Sequence, residues 1–217
     1  MTFKPRRRFV AISLSTALTS LLMLATPAAA GPAPANSTES HAKTVDIVGG
    51  NFLEVNQSIT ITYRFKPGTI HVKHGDKLVL TNHTDDGHSL TLVSASLLPK
   101  TINSVFNCGG PGTICGEVGQ AHFPMGFPQG PPSGCTPPAC IQYVDNGLPS
   151  ATPPALNTVN TLTQSGAADG DSVLIGPKSP PIWMTVTARA GTVLPYMCVI
   201  HAWMQGKIVV DRSEGSD

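Results

Sequence analysis

The seven residues Cys198-Val199-Ile200-His201-Ala202-Trp203-Met204 set a thiolate, an imidazole and a thioether at C-x2-H-x2-M spacing, just before the closing apolar run Ile208-Val209-Val210. Sulfur donors combined with imidazole suit copper far better than magnesium or calcium, which take oxygen. Two imidazoles and a thiolate in a trigonal set, with a weak axial Met, is an arrangement that supports single-electron copper chemistry. The loop supplies three of those four donors, so a second histidine has to come from elsewhere in the chain.

The elements that must position such a site read as β-strands. Ile59 to Phe65 alternates apolar and polar residues with β-branched side chains, which predicts a half-buried strand. Ile70 with Val72, Leu78 to Leu80, and Ser89 to Val93 predict further strands, punctuated by Pro67-Gly68 and Gly75-Asp76. Ser172 to Ile175, Trp183 to Ala188, Thr192 to Met197 and Lys207 to Asp211 continue the pattern. Outside the N-terminal segment nothing sustains a 3.6-residue period, so the expected fold is an all-β antiparallel sandwich or barrel. Between about residues 99 and 181 the chain is rich in Gly, Pro and small polar residues and lacks apolar periodicity. It reads as a long loop insertion within one domain spanning residues 44–212, with 213–217 a short tail.

Six histidines are candidates for the missing donor: His41, His71, His74, His83, His88 and His122. His88 is preferred, because it follows the turn-rich segment Asn82 to Gly87 and opens an alternating strand. That places it where the loops of a sandwich cluster, at the same end as Cys198. His83 is the substitute for it. His71-x2-His74 reads as surface and His122-x2-Met125 as loop, and Met197 points along the opposite face of its strand from Cys198, into the core.

Residues 1–30 read as an export signal: Arg6-Arg7-Arg8, an uncharged apolar run from Val10 to Leu24, and Ala28-Ala29-Ala30 before Gly31. Arg6-Arg7-x-Phe9 also resembles a twin-arginine signal, and retention of the apolar run as an anchor is the alternative. Residues 31–43 read as a flexible leader. Four of the 14 basic side chains (Lys4, Arg6, Arg7, Arg8) fall in the signal, so the remainder is slightly acidic against 13 Asp and Glu. That balance gives no reason to expect nucleic acid or an anionic membrane as a partner. An exported chain, periplasmic or extracellular, favours disulfides. Cys108, Cys115, Cys135 and Cys140 therefore read as two bridges stapling the insertion, in any of three pairings, with a structural zinc site as the competitor. Cys198 is left as a free thiolate.

Two stretches of the chain resemble the cupredoxins. Phe65-x-Pro67-Gly68-x-Ile70-x-Val72, then Gly75-Asp76, then Asn82 with a histidine six positions later, is similar to the N-terminal half of that family. Tyr196-x-Cys198-x-x-His201-x-x-Met204-x-Gly206-x-Ile208-x-Val210 is similar to its C-terminal half, with a short loop resembling that of amicyanin on a plan resembling plastocyanin. The resemblance covers roughly residues 44–93 and 183–211 and implies a Greek-key sandwich. It also implies one copper ion with His88, Cys198 and His201 as strong equatorial ligands and Met204 as the weak axial one. The implied function is to carry single electrons outside the cytoplasm, without enzymatic activity, for a monomer meeting a redox partner protein. A non-redox copper buffer or delivery protein is the alternative.

Two positions depart from the family pattern. Ile200 stands where many members have Pro, which leaves one more backbone N–H able to donate to the Cys198 sulfur. Ser89 stands where Asn is common, which leaves the tether from that position to the cysteine loop open. By the same resemblance, His201 is expected near the surface as the electron exit. Ala202 and Trp203 would then form an apolar collar around it, or Trp203 would pack under the insertion.

Overall fold

The structure is a computed structural model, and it describes residues 42–126 and 140–212. In chain order the strands are β1 Ala42–Val48, β2 Asn51–Glu54, β3 Ser58–Ile61, β4 Arg64–Lys66, β5 Thr69–Val72, β6 Lys77–Asn82 and β7 His88–Leu92. Helices α1 Ile102–Phe106 and α2 Ile114–His122 follow. Then come β8 Tyr143–Asp145, β9 Leu148–Ser150, β10 Ala155–Leu156, β11 Ser172–Ile175, β12 Ile182–Val186, β13 Val193–Met197 and β14 Gln205–Val210.

Two sheets face each other across an apolar interior, one ordered β10-β12-β6-β1-β4 and the other β5-β14-β13-β7-β11-β8-β9. Pairing is antiparallel except for β1 with β6, β5 with β14 and β10 with β12, which run parallel. The period-2 rule for strands sorts the side chains. Val45 and Ile47 of β1, Leu78 and Leu80 of β6, Leu90 and Leu92 of β7, and Leu194 and Tyr196 of β13 all enter the same buried cluster. Each such side chain contributes about 1.5–3 kcal/mol by leaving water.

The second sheet is buried on its outer face as well. Ser89, Thr91 and Val93 alternate with the inward Leu90 and Leu92, yet they are fully buried. Residues from the insertion cover that face: Cys108, Ile114, Cys115 and Val118 join Val93, Met197, Val199 and Ala202 in a second apolar cluster. Met197 thus points away from the Cys198 face into core, as expected, although the core it enters is this outer layer.

The insertion is more than loop. Thr101 caps α1 through a capping box with Ser104, and Thr113 caps α2 by accepting from the Gly116 N–H. A disulfide joins Cys108 to Cys115 across the α1–α2 connection, and Cys140 is disulfide-bonded as well. Cys135 lies outside the described residues. β11, within the stretch read as insertion, is an inner strand of the second sheet, between β7 and β8.

Two expectations change at the N-terminal end. β1 begins at Ala42 and pairs from there with β6, so the last two residues of the expected leader are strand. The segment Ile59 to Phe65 is not one half-buried strand. Ile59 lies in a hairpin with β2 and is 72% exposed, and the chain then breaks at Thr62, whose N–H donates to the Gly50 carbonyl. Only Tyr63 and Phe65 of that run turn inward. No helix among the described residues is long and apolar enough to cross a membrane.

Candidate metal centre

Cys198 follows the last residue of β13, and Gln205 opens β14, with Met197 opposite Gln205 in the ladder. Residues 198–204 are therefore the connection of a β-hairpin. The connection closes on itself: the Cys198 N–H donates to the Met204 carbonyl at 3.0 Å, and the Met204 N–H to the His201 carbonyl at 2.8 Å. Cys198 inherits the inward face from Tyr196, two residues before it, and is fully buried. His88 opens β7, the neighbour of β13, and shares the inward face of Leu90 and Leu92. Adjacent strands of one sheet thus bring both donor sources together.

The geometry is compact. Nδ1 of His88 and Nδ1 of His201 face each other at 3.1 Å, and each lies 3.9 Å from Cys198 Sγ. These three are the group able to hold a metal ion among the described residues. Met204 is buried in the same cluster as Cys198. His83, the substitute for His88, is exposed and pairs with Asp46 at 3.0 Å. His71 pairs with Asp211, and the His74 ring meets the Ala188 carbonyl. His41 lies outside the described residues. Met125 is exposed, but His122 is not in a loop: it ends α2 and is fully buried.

What surrounds the donors fixes their protonation. The Thr84 hydroxyl donates to Asn82 Oδ1 at 2.8 Å, which leaves its oxygen to accept from His88 Nε2 at 2.9 Å. Asn82 is held in turn by donating to the Asp86 and Gly176 carbonyls. Nε2 of His201 lies 3.5 Å from an Asp86 carboxylate oxygen. Both rings therefore carry their proton on Nε2 and offer Nδ1 lone pairs toward the sulfur. Such outer partners orient ligating imidazoles and raise their basicity.

Burial, and then proximity to His201, pushes the His88 imidazole down to about 3. Burial also lowers His201, opposed by Asp86. Both rings are neutral at neutral pH, the state in which imidazole binds metal. Burial raises the Cys198 thiol, while the N–H groups of Ser89, His201 and Ile200 pull it back. Ser89 and His201 donate to the sulfur at 3.3 Å each, and Ile200 adds the further backbone contribution expected of a non-proline residue there.

Tyr63 was not singled out in the sequence. Its ring centroid lies 4.9 Å from those of His88 and His201, and its hydroxyl accepts from Asn51 Nδ2 at 2.8 Å. Trp203 stacks edge-on against His201, and its Nε1 donates to the Tyr63 carbonyl. Trp203 is 39% exposed and lies at the surface beside His201. Ala202 behaves oppositely, buried under the insertion with Ile114 and Val118. His201 itself is only 9% exposed. The Ser89 tether is present after all, because the serine hydroxyl accepts from the Val199 N–H at 2.9 Å.

No family model matches the chain. No curated protein matches it either. Among solved structures it is similar to a reduced Cu(I) amicyanin variant at 15% identity, covering 78% of this chain and 82% of that one, with a TM-score of 0.35. It is similar to auracyanin from Roseiflexus castenholzii at 14% identity, over 69% and 88% of the two chains, with a TM-score of 0.35. Auracyanin A, a "blue" copper protein from Chloroflexus aurantiacus, matches at 16% identity over 79% and 100%, with a TM-score of 0.34. Two facing sheets unite the two sequence halves around one buried donor cluster, and the chain is an all-β sandwich.

Proposed function

We propose that this chain is a type 1 copper protein that carries single electrons between redox partners outside the cytoplasm. The observation that carries the reading is the buried meeting of two imidazole Nδ1 atoms and one cysteine sulfur, with both Nε2 atoms already engaged. That donor set fits copper. One ion held by His88, Cys198 and His201, with Met204 as a weaker fourth ligand, would supply reversible exchange of one electron.

The chain's own part is to hold those donors still. The hairpin hydrogen bonds fix three of them, the Asn82–Thr84 pair fixes His88, and the sandwich core fixes the distance between the two sources. A donor set held this way leaves little to rearrange when the charge changes. Tyr63 and Trp203 pack against the rings, and the proposed role is not enzymatic. Trp203 and the edge of His201 would form the side facing a partner. A disulfide between Cys108 and Cys115, with Cys140 also bridged, supports an oxidising compartment.

The test is optical and electrochemical. Copper-loaded protein is expected to show an intense visible sulfur-to-copper band that disappears in Cys198→Ser, together with reversible one-electron voltammetry. A colourless Cu(II) complex rejects the reading, and a coloured complex with no reversible couple leaves a copper buffer in its place.

A further inference from the structure

A file of buried polar side chains crosses the outer face of the second sheet, beneath α2. Ser89 and Thr91 come from β7, Ser172 from β11 and His122 from α2, and all four are fully buried. Ser89 Oγ lies 3.0 Å from Thr91 Oγ1, which lies 2.7 Å from Ser172 Oγ, which lies 2.7 Å from His122 Nε2. The file ends where His122 Nδ1 meets the Ile141 carbonyl at 2.5 Å. At its other end the Val199 N–H donates to Ser89 Oγ at 2.9 Å, and the Ser89 backbone N–H donates to the Cys198 sulfur at 3.3 Å.

The directions of these bonds follow from counting hydrogens. The Ile141 carbonyl can only accept, so His122 Nδ1 carries the ring proton. Burial holds the imidazole neutral by pushing it down to about 4, so Nε2 presents a lone pair. Three hydroxyl hydrogens then serve three bonds, and only one assignment fills them all. Ser172 donates to His122, Thr91 donates to Ser172, and Ser89 donates to Thr91. The Ser89 hydrogen therefore points away from Cys198, and its oxygen is left to receive the Val199 N–H.

We infer that His122 is a positioning residue for the metal centre: as the obligate acceptor at the far end of this file, it turns the Ser89 hydroxyl away from the Cys198 sulfur. The inference rests on the reading of Cys198 as a metal ligand. It gives the insertion a part in the chemistry, because α2 carries the residue that sets the file's direction. The sulfur accepts from backbone N–H groups, and His122 withholds a side-chain hydrogen bond from it. A further hydrogen bond would stabilise the thiolate and favour the reduced ion.

The first measurement uses metal-free protein. The imidazole ¹⁵N shifts of His122 at neutral pH are expected to show a protonated Nδ1 and an unprotonated Nε2, and the opposite tautomer overturns the inference. The second uses copper-loaded variants. His122→Phe removes the acceptor and Ser172→Ala breaks the file midway. Both are expected to shift the Cu(I)/Cu(II) equilibrium roughly tenfold toward Cu(I), the worth of one hydrogen bond to a charged group. The sulfur band should move to shorter wavelength in both. His122→Gln, which keeps a donor and an acceptor, should stay close to wild type, and adding Ser89→Ala to either variant should cancel the shift. If His122→Phe does not fold, Ser172→Ala carries the test alone. An unmoved potential and band in a folded variant, or a shift that survives Ser89→Ala, overturns the inference. A wild-type protein with no sulfur band at all instead sinks the metal-centre reading, and this role with it.

Discussion

Thr84→Val probes the orientation of His88 without touching a donor atom. The threonine is buried, and its oxygen accepts the His88 Nε2–H at 2.9 Å while its hydroxyl donates to Asn82 Oδ1 at 2.8 Å. Valine keeps the branched shape and deletes the oxygen. Asn82 Oδ1 retains the Thr84 backbone N–H at 2.9 Å, so the damage falls on the imidazole, whose N–H is left in the interior without an acceptor. An orphaned buried donor costs about 1–3 kcal/mol, which should appear in urea unfolding of the metal-free protein. A ligating histidine that loses its outer partner typically weakens metal binding by about 10–100-fold, equivalent to about 1.4–2.7 kcal/mol. Competition against a chromophoric copper chelator reads that number separately. The two measurements discriminate between causes, because a pure packing defect lowers stability and leaves affinity alone. Affinity within about twofold of wild type, with stability changed by less than about 0.5 kcal/mol, refutes the assignment of Thr84 as the partner that fixes the His88 tautomer.

Ile200→Pro removes one N–H aimed at the Cys198 sulfur, and voltammetry should show a lower reduction potential, equivalent to about 1 kcal/mol for one hydrogen bond; an unchanged or higher potential contradicts it. In metal-free protein, His122 stands at about 4 against an ordinary 6.5. The native state therefore prefers the neutral ring, and its contribution is full above pH 6.5 and lost as pH falls toward 4. The amount is about 3 kcal/mol, and His122→Gln should flatten that part of the pH dependence of urea unfolding; an unaltered slope contradicts the linkage. Gly116→Ala would drive a Cβ into the Gly110 carbonyl oxygen. The first turn of α2 must then shift, at about 1–3 kcal/mol, and an unchanged thermal midpoint argues that the approach is looser than described.

The parts of this protein that obey a short repeat were legible from its residues. Leu78 to Leu80, Ser89 to Val93 and Thr192 to Met197 fall on strands because alternation and β-branching act locally. The C-x2-H-x2-M spacing announced itself because all three residues lie on one hairpin connection. His88 could be reached by its place after a turn, since a strand start is also a local property. The helices were illegible for an equally local reason. α1 has five residues, and α2 carries glycines at 116 and 119 that lower its helical signal; Gly116 is there because the Gly110 carbonyl passes too close for a side chain. Ile59 to Phe65 misled because its alternation is real while its burial depends on a break at Thr62 that only tertiary packing shows. Tyr63 and His122 were missed as parts of the centre because their partners are 12 or more residues away. Nothing in their neighbourhoods distinguishes them from an ordinary core tyrosine or loop histidine.

The place of β11 bears on how far the chain can be shortened. Drawn from the far end of the long segment between β7 and β12, it lies against the strand that carries His88, with Ile175 opposite His88 itself. A trimmed version that kept only the two stretches resembling the family would lose β11 and leave β7 at the border of its sheet. One row of β7 N–H and C=O groups would then be open to a strand from a second molecule. Minimal modules cut from this protein should therefore dimerise through the strand that carries His88 unless residues 172–175 are kept.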